Sequence, residues 1–394
     1  MLCEEKYFEL YNHEPEAMAF CGYRIAPLGA HIDHQAGRIL GCSIDKGIHI
    51  AYRKKNSGIC ELNSIQFPGK RAQFHVNSIP EEKAGDWADH CRGASKMLGE
   101  KYPLRYGISG VIEGELPIGG LSSSASVIIA FTSALAAVNG IKLGDWELIM
   151  LAKAAENRYV GVNCGKLDQA CEVLGRKDQW LYLDCSDDSS SLISTPDTIP
   201  PYSFAIFFSG LERSLANSAY NLRQDECKAA AYTLLAHAGL PYGKFADTVL
   251  RDVPVPLFED YRDRLPENFR KRATHFFTEN ARVERGVEAW REGRLEEFGK
   301  LVFESGKSSI ENYECGCPEL ITLYNIMTET DGIYGGRFSG AGFKGCCLAV
   351  IDPAKSEDVL EKVEEKYLSV YPNLKGKYMS AICSLADGVG ARLG

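Results

Sequence analysis

The sequence predicts an α+β protein built as two domains, on three grounds. Its 394 residues exceed the ~100–200 of a typical single domain. β-Rich segments crowd the first half of the chain and long amphipathic helices the second. Strands and helices also mix without the regular alternation that builds a doubly wound parallel sheet.

Taken in order, the strand-like segments are Met18 to Ile25, Gly47 to Tyr52, Ser64 to Val76 and Tyr106 to Glu113, rich in β-branched and aromatic residues. Helices are expected from about Ser122 to Val138 and from Asp145 to Tyr159. In the second, Asp145 stands as a candidate N-cap, and Leu148, Leu151, Ala152 and Ala155 recur at helical spacing. The run Ser186 to Pro201 (SDDSSSLISTPDTIPP) is poor in core residues and lies between two strand-like stretches, Trp180 to Leu183 and Phe204 to Phe208. It marks an expected boundary, giving domains 1–200 and 201–394. Amphipathic helices follow around Tyr220 to Ala238 and Phe269 to Trp290, then a strand from Gly345 to Ile351 and a helix from Ser356 to Tyr367.

Composition excludes several classes. With 45% hydrophobic and 25% charged residues the chain is an ordinary globular protein. Its longest nearly uncharged apolar run, Ala125 to Val138, has 14 residues, too few to span a bilayer. The opening Met1 to Lys6 carries no signal-peptide pattern, so a cytoplasmic, membrane-free protein is expected. A net charge of −9 argues against nucleic acid as a partner. Fourteen cysteines contain no CxxC pair, and a chain this long needs no disulfide staples, so free thiols in a reducing compartment are expected rather than disulfides or structural zinc.

Four stretches carry chemistry. Pro117-Ile118-Gly119-Gly120-Leu121-Ser122-Ser123-Ser124-Ala125-Ser126 runs into an apolar helix. Glycines admit close approach, and a helix N-terminus offers free N–H groups and positive potential to a phosphate. Read alone, it is equally a Ser-capped helix after a turn. Gly335 to Gly345 is a second glycine-rich segment, and two such loops suggest a nucleotide held from both domains. Gly306-Lys307-Ser308 resembles the end of a Walker loop, but the glycine that motif needs is Leu301 here. Arg24 to Gln35 places Arg24, His31, Asp33 and His34 on a loop suited to a metal, a polyol or a plain turn. Glu156 to Gln169 (ENRYVGVNCGKLDQ) brings two carboxylates, Glu156 and Asp168, which could divide metal binding and proton acceptance or simply face solvent.

In their order along the chain the stretches resemble the three motifs of the GHMP small-molecule kinases, and most closely the galactokinase group. Arg24 to His34 is similar to its sugar-binding motif, Pro117 to Ser126 to its phosphate loop, and Gly336 to Cys346 to its third motif. Further similarity lies in Ser218 to Arg223, Thr278 to Asn280 and Cys317 to Leu320. Pro27 to Gln35, Phe208 to Leu211, Ser308 to Gly316 and Arg337 to Phe343 match the form found in galacturonokinases. The resemblance implies a two-domain fold, with an N-terminal domain like ribosomal protein S5 domain 2, a ferredoxin-like C-terminal domain and the active site in the cleft between them.

It also implies ATP and Mg²⁺ as cofactors, and phosphorylation of the anomeric hydroxyl of a galacto-configured sugar. On this reading Asp168 and Arg24 are catalytic. Ala30, His31, Asp33, His34, Gly165 and Tyr220 bind the sugar. Pro117, Gly119, Gly120, Leu121, Ser122, Ser123, Ser124, Ser126 and Gly340 bind ATP, and Ser124 and Glu156 hold the metal. Where galactokinases carry Glu-His-Thr-Asp-Tyr, this chain has Ala30-His31-Ile32-Asp33-His34. A glutamate there would repel a C6 carboxylate by a few kcal/mol at an effective dielectric of about 20, so Ala30 favours D-galacturonate over D-galactose. His34 and Arg213 are the candidate cations for that carboxylate. Lys344 replaces a glycine usual in the third motif. A catalytically silent sugar and ATP sensor on the same fold is the competing class, disfavoured because Arg24, Ser124, Glu156 and Asp168 all stand. The partners expected are the sugar or sugar acid and ATP, with the chain a monomer or weak homodimer.

Overall fold

The computed structural model describes residues 2–211 and 217–393. The first sheet has the path β12-β1-β2-β5-β3-β4, with β6 and β7 attached through β2. Its strands are β1 (Ala17–Leu28), β2 (Arg38–Lys55), β3 (Ile59–Ser64), β4 (Ala72–His75), β5 (Gly107–Gly114), β6 (Gln179–Asp184), β7 (Ser190–Ser194) and β12 (Gly390–Leu393). Helices α2 (Asp89–Gly99), α3 (Ser123–Val138), α4 (Asp145–Ala154) and α5 (Leu167–Leu174) form its helical layer, in which α3 and α5 lie against β1 and β2. Helix α1 (Leu2–Tyr11) packs on β5 and β2.

The second sheet runs β11-β8-β10-β9, from β8 (Ser203–Phe208), β9 (Ile333–Phe338), β10 (Cys346–Ile351) and β11 (Met379–Cys383). In chain order that is fourth, first, third, second, all antiparallel, which is the ferredoxin-like arrangement. Its first crossover is long and holds α6 (Asn217–His237), α7 (Val255–Tyr261), α8 (Glu267–Arg291), α9 (Leu295–Glu311) and α10 (Pro318–Thr328). The second crossover holds α11 (Ser356–Val370). Among the described strand pairs only β3 with β5 is parallel, so the α+β expectation holds.

The two halves share a core. One buried cluster joins Ile25 and Leu28 of β1 to Trp180, Phe204, Trp290 and Phe298, and Trp180 meets Trp290 edge-on at 5.5 Å. Aromatic contacts of this kind add roughly 0.5–1.5 kcal/mol beyond area burial. The chain also crosses back at its end, where β12 pairs with β1 from Ala17↔Leu393 to Phe20↔Gly390.

Several elements differ from the expectation for local reasons. The single strand expected over Ser64 to Val76 is broken between β3 and β4 by Phe67-Pro68-Gly69, with Gly69 at φ +76°. Pro68 has no N–H to give a sheet ladder. Asp145 is the first residue of α4 and Gly144 its N-cap. Ser190–Ser194, inside the expected linker, forms β7 and pairs with β6. Gly306-Lys307-Ser308 lies within α9, where a Cβ on Gly306 would meet the Tyr324 ring at 2.5 Å, so that glycine serves helix packing. All fourteen cysteines are free thiols. No described helix is long and apolar enough to cross a membrane.

Candidate active site

β1 and β2 pair with shifts of register on both sides of Arg24 and Ile25, an irregularity of the kind that re-aims side chains at the end of a strand. The Arg24 guanidinium is buried and makes three contacts. Its Nε donates to Asp168 Oδ1 at 2.7 Å, and its Nη1 donates to the Gly120 carbonyl at 3.0 Å and to Ser339 Oγ at 3.3 Å. One side chain of β1 thus joins the phosphate-type loop, the second glycine-rich loop and the first turn of α5.

The two glycine-rich loops lie backbone against backbone. A Cβ on Gly340 would sit 2.9 Å from Gly120 Cα, and one on Gly345 would sit 2.8 Å from the Gly119 carbonyl carbon. Gly119, Gly120 and Ser122 have φ of 143°, 88° and 59°, so the turn into α3 is built on left-handed residues. At Ser122 that conformation is one an L side chain adopts reluctantly. The Ser122 hydroxyl is buried with no partner among the described residues, at a helix start whose N–H groups favour an anion.

A cavity of about 140 Å³ opens here between the two halves of the chain. Its wall includes Arg24, Ala30, His31, Asp33, Gly165 and Asp168 on the acceptor side. On the loop side it includes Gly119, Gly120, Ser122, Ser123, Ser124 and Glu156, with Tyr220, Gly340 and Lys344 from the C-terminal half. Gly165 is required by proximity, because a Cβ there would stand 2.0 Å from Asp33 Oδ2. The Leu167 amide donates to that same oxygen at 3.1 Å, and burial raises the Asp33 carboxyl above its usual range. His31 holds φ +64° and stacks on Tyr313 at 4.3 Å with 7° between planes. Burial lowers its pKa well below the usual value. The Ala30 carbonyl accepts from His275 Nε2 at 3.0 Å, which fixes the loop while Ala30 lines the cavity wall.

Ser124 and Glu156 face the same cavity. Glu156 is buried and accepts from Gln169 Nε2 at 2.6 Å. No described group of three or more His, Cys, Asp or Glu is set to cage a metal. A hydroxyl and one carboxylate beside a turn whose amides suit an anion fit Mg²⁺ all the same, since it takes few protein ligands and completes its shell with phosphate and water.

Four of the residues singled out in the sequence stand elsewhere. His34 does not line this cavity. Its Nε2 lies 3.2 Å from the Tyr313 hydroxyl and its Nδ1 3.0 Å from Gln35 Nε2, and burial, then His275, push its pKa down to about 3. It is therefore a neutral packing residue, whose ring nitrogens are already partnered. Leu121 is buried behind the loop. Ser126 Oγ turns inward to Glu172 Oε1 at 2.8 Å. Pro117 lines a neighbouring cavity of about 780 Å³, walled by Phe67, Trp87, His90, Val127 and Lys377 and sharing Ile118, Ser123 and Ser124 with the first. Phe67 and Trp87 stack there at 6.1 Å. Sequence reasoning misses both, since they stand in turns that no motif marks. Arg213 lies outside the described residues.

A ferredoxin-like half docked on a mixed sheet, with a phosphate-type turn opposite a carboxylate–guanidinium pair, defines a small-molecule kinase. Residues 89–176 match the GHMP kinases N terminal domain and residues 287–369 the GHMP kinases C terminal domain. A galacturonokinase of Arabidopsis thaliana is 39% identical over 389 residues, covering 93% of this chain and 91% of that one. A galactokinase of Clostridium perfringens is 32% identical over 361 residues, covering 91% of each. Among solved structures, Lactococcus lactis galactokinase complexed with galactose superposes with a TM-score of 0.89 at 27% identity, covering 98% of each chain. The chain belongs to the GHMP kinases, in their galactokinase-like branch. It is an ATP-using phosphotransferase with an alcohol group as acceptor.

Proposed function

We propose that the protein transfers the γ-phosphoryl group of ATP to the anomeric hydroxyl of a galacto-configured sugar, with D-galacturonate favoured and its α-1-phosphate the product. One observation carries the choice of acceptor: Ala30 faces the cavity shared by Asp33 and Asp168. A methyl there leaves room for a C6 carboxylate, where a carboxylate side chain would meet it with about 4 kcal/mol of repulsion at 4 Å and an effective dielectric near 20. The likeness to the Arabidopsis galacturonokinase supports the same reading. The galactokinase relatives make D-galactose the alternative acceptor.

Asp168 accepts the proton of the attacking hydroxyl, and Arg24, held on it at 2.7 Å, orients it and offsets charge developing on the transferred group. Asp33 and His31 bind ring hydroxyls, with Gly165 and Tyr220 completing that wall. The amides from Gly119 to Ser124, with the unpartnered Ser122 hydroxyl, hold the phosphates, joined by Gly340 from the third loop. Ser124 and Glu156 would hold Mg²⁺, which would supply charge neutralisation on the phosphate oxygens. The larger neighbouring cavity, with its Phe67–Trp87 stack and Pro117 in the wall, takes the adenosine. Free thiols throughout fit a reducing compartment, the cytoplasm.

The test is the identity of the product. Incubation with ATP, Mg²⁺ and D-galacturonate is expected to give a sugar acid whose phosphorus couples to the anomeric proton in the NMR spectrum. Phosphate on any ring hydroxyl other than the anomeric one contradicts the reading.

A further inference from the structure

Behind the cavity wall lies a carboxyl that the chemistry above does not use. Glu172 is 0% exposed and sits where three site-bearing elements meet. It stands on α5 one turn after Asp168, with its Oε1 2.8 Å from Ser126 Oγ in the first turn of α3 and its Oε2 3.9 Å from Cys21 Sγ on β1. The same three elements carry Asp168, the phosphate loop and Arg24.

Complete burial with few donors bears on its state. Ser126 Oγ lies 2.8 Å from Glu172 Oε1, 3.2 Å from the Ser122 carbonyl and 3.5 Å from the Gly22 carbonyl. A hydroxyl has one proton and two lone pairs. Its one proton can go to Glu172, the shortest contact at 2.8 Å, or to a carbonyl while the hydroxyl accepts from a protonated Glu172, and the distances accommodate both. The described partners of Glu172 are that hydroxyl and one distant thiol, and the nearby guanidinium of Arg24 is engaged with Asp168. An ionised carboxylate in a dry site needs a counter-charge of its own or several donors; here the nearby cation is bonded to Asp168, and the described donors are one hydroxyl and one thiol. The charged and titratable groups around it are Asp168, Cys171 and Glu156 on the helical side and Arg24, Cys21 and Tyr23 on β1. Burial first, and the Asp168 charge next, hold its pKa well above the carboxylate range.

We propose that Glu172 is a neutral, protonated carboxyl that donates to Ser126 and acts as a positioning residue, locking the first turn of the phosphate-loop helix to the helix that carries Asp168. Its neutrality matters as much as the bond. An ionised carboxylate behind the cavity wall would draw the field of Arg24 away from Asp168 and repel the incoming phosphates. This rests on the roles given to Asp168 and the phosphate loop, but the state of Glu172 is measurable without them.

Two variants and one spectrum test it. The isosteric Glu172→Gln keeps a donor for Ser126 and adds no charge. It is expected to keep kcat and both KM values within about twofold, and the acid limb of the kcat/KM pH profile unmoved. Glu172→Leu fills the space without the bond and is expected to lower kcat more than tenfold, with a smaller change in KM for the sugar. In the infrared, the native protein at neutral pH is expected to show the carbonyl band of a buried protonated carboxyl, absent from the Glu172→Gln protein. Absence of that band in the native protein, or an acid limb that moves in Glu172→Gln, overturns the proposal even if the Glu172→Leu protein cannot be folded. Loss of activity in Asp168 variants bears on the kinase reading alone, so the two can fail separately.

Discussion

Arg24 and Asp168 stand 144 residues apart in sequence and meet at 2.7 Å in the cavity wall. The guanidinium is buried and the carboxylate half-open to the cavity, so the pair is fixed at one end and reactive at the other. From its other nitrogen Arg24 also reaches the Gly120 carbonyl, which ties the position of the base to that of the phosphate loop. In phosphoryl transfer, where there is little covalent chemistry for the protein to perform, such positioning is most of what a site contributes.

Asp168→Asn keeps the shape and a partner for Arg24 but removes the proton acceptor. We expect kcat to fall by about 10²–10⁴, the span that general base catalysis supplies, while sugar and ATP still bind with dissociation constants within about threefold. Stopped turnover with intact calorimetric binding confirms this. Near-normal turnover removes Asp168 from the role.

Glu156→Gln and Ser124→Ala each delete one proposed metal ligand. The concentration of Mg²⁺ giving half-maximal rate at fixed ATP is expected to rise about tenfold in Glu156→Gln, the loss of roughly one charge-assisted contact. An unchanged Mg²⁺ dependence in both variants places the metal on phosphate and water alone.

His34 and His275 are held neutral by burial, with pKa values of about 3 and about 4, against about 6.5 in the unfolded chain. Between pH 6.5 and 4 the unfolded chain therefore binds protons that the folded one refuses, so stability falls as pH falls through that window and is complete above it. The thermal midpoint is expected to drop by several degrees from pH 7 to 5, with a shallower slope in His34→Gln. Equal slopes in the two proteins mean that His34 is charged when folded.

Ala30→Glu restores the carboxylate at the position that faces the acceptor. Repulsion of a few kcal/mol corresponds to a loss of about 10²-fold or more in kcat/KM for D-galacturonate, with a much smaller loss, or a gain, for D-galactose. Equal losses on both sugars mean that position 30 does not read C6.

The parts of this site legible in the sequence are those where the backbone itself imposes the residue. Gly119, Gly120, Gly340 and Gly345 are forced by two loops in contact, and Gly165 by Asp33 lying where its Cβ would be, so they stand out as patterns. Arg24 and Asp168 are visible because they sit inside or beside such patterns. Glu172 is not, because one buried acid in the short α5 looks like any helical glutamate until Ser126 is brought to it by the fold. The Phe67–Trp87 wall is hidden for the same reason, since its two rings come from separate turns joined only by packing. His34 reads as a cation because sequence shows a titratable ring but not its burial beside Tyr313. In the fold, the strand break at Pro68-Gly69 follows from turn chemistry inside an otherwise strand-like run. The return of β12 to β1 is a long-range pairing that no local pattern encodes.

The central claim is that this cavity phosphorylates a uronate. The most direct measurement is kcat/KM with ATP and Mg²⁺ for D-galacturonate, D-galactose, D-glucuronate and N-acetylgalactosamine, side by side. We expect D-galacturonate to exceed D-galactose by about tenfold or more, a difference of about 1.4 kcal/mol. A preference for D-galactose contradicts the claim and leaves a galactokinase-like site in which Ala30 does not set the acceptor.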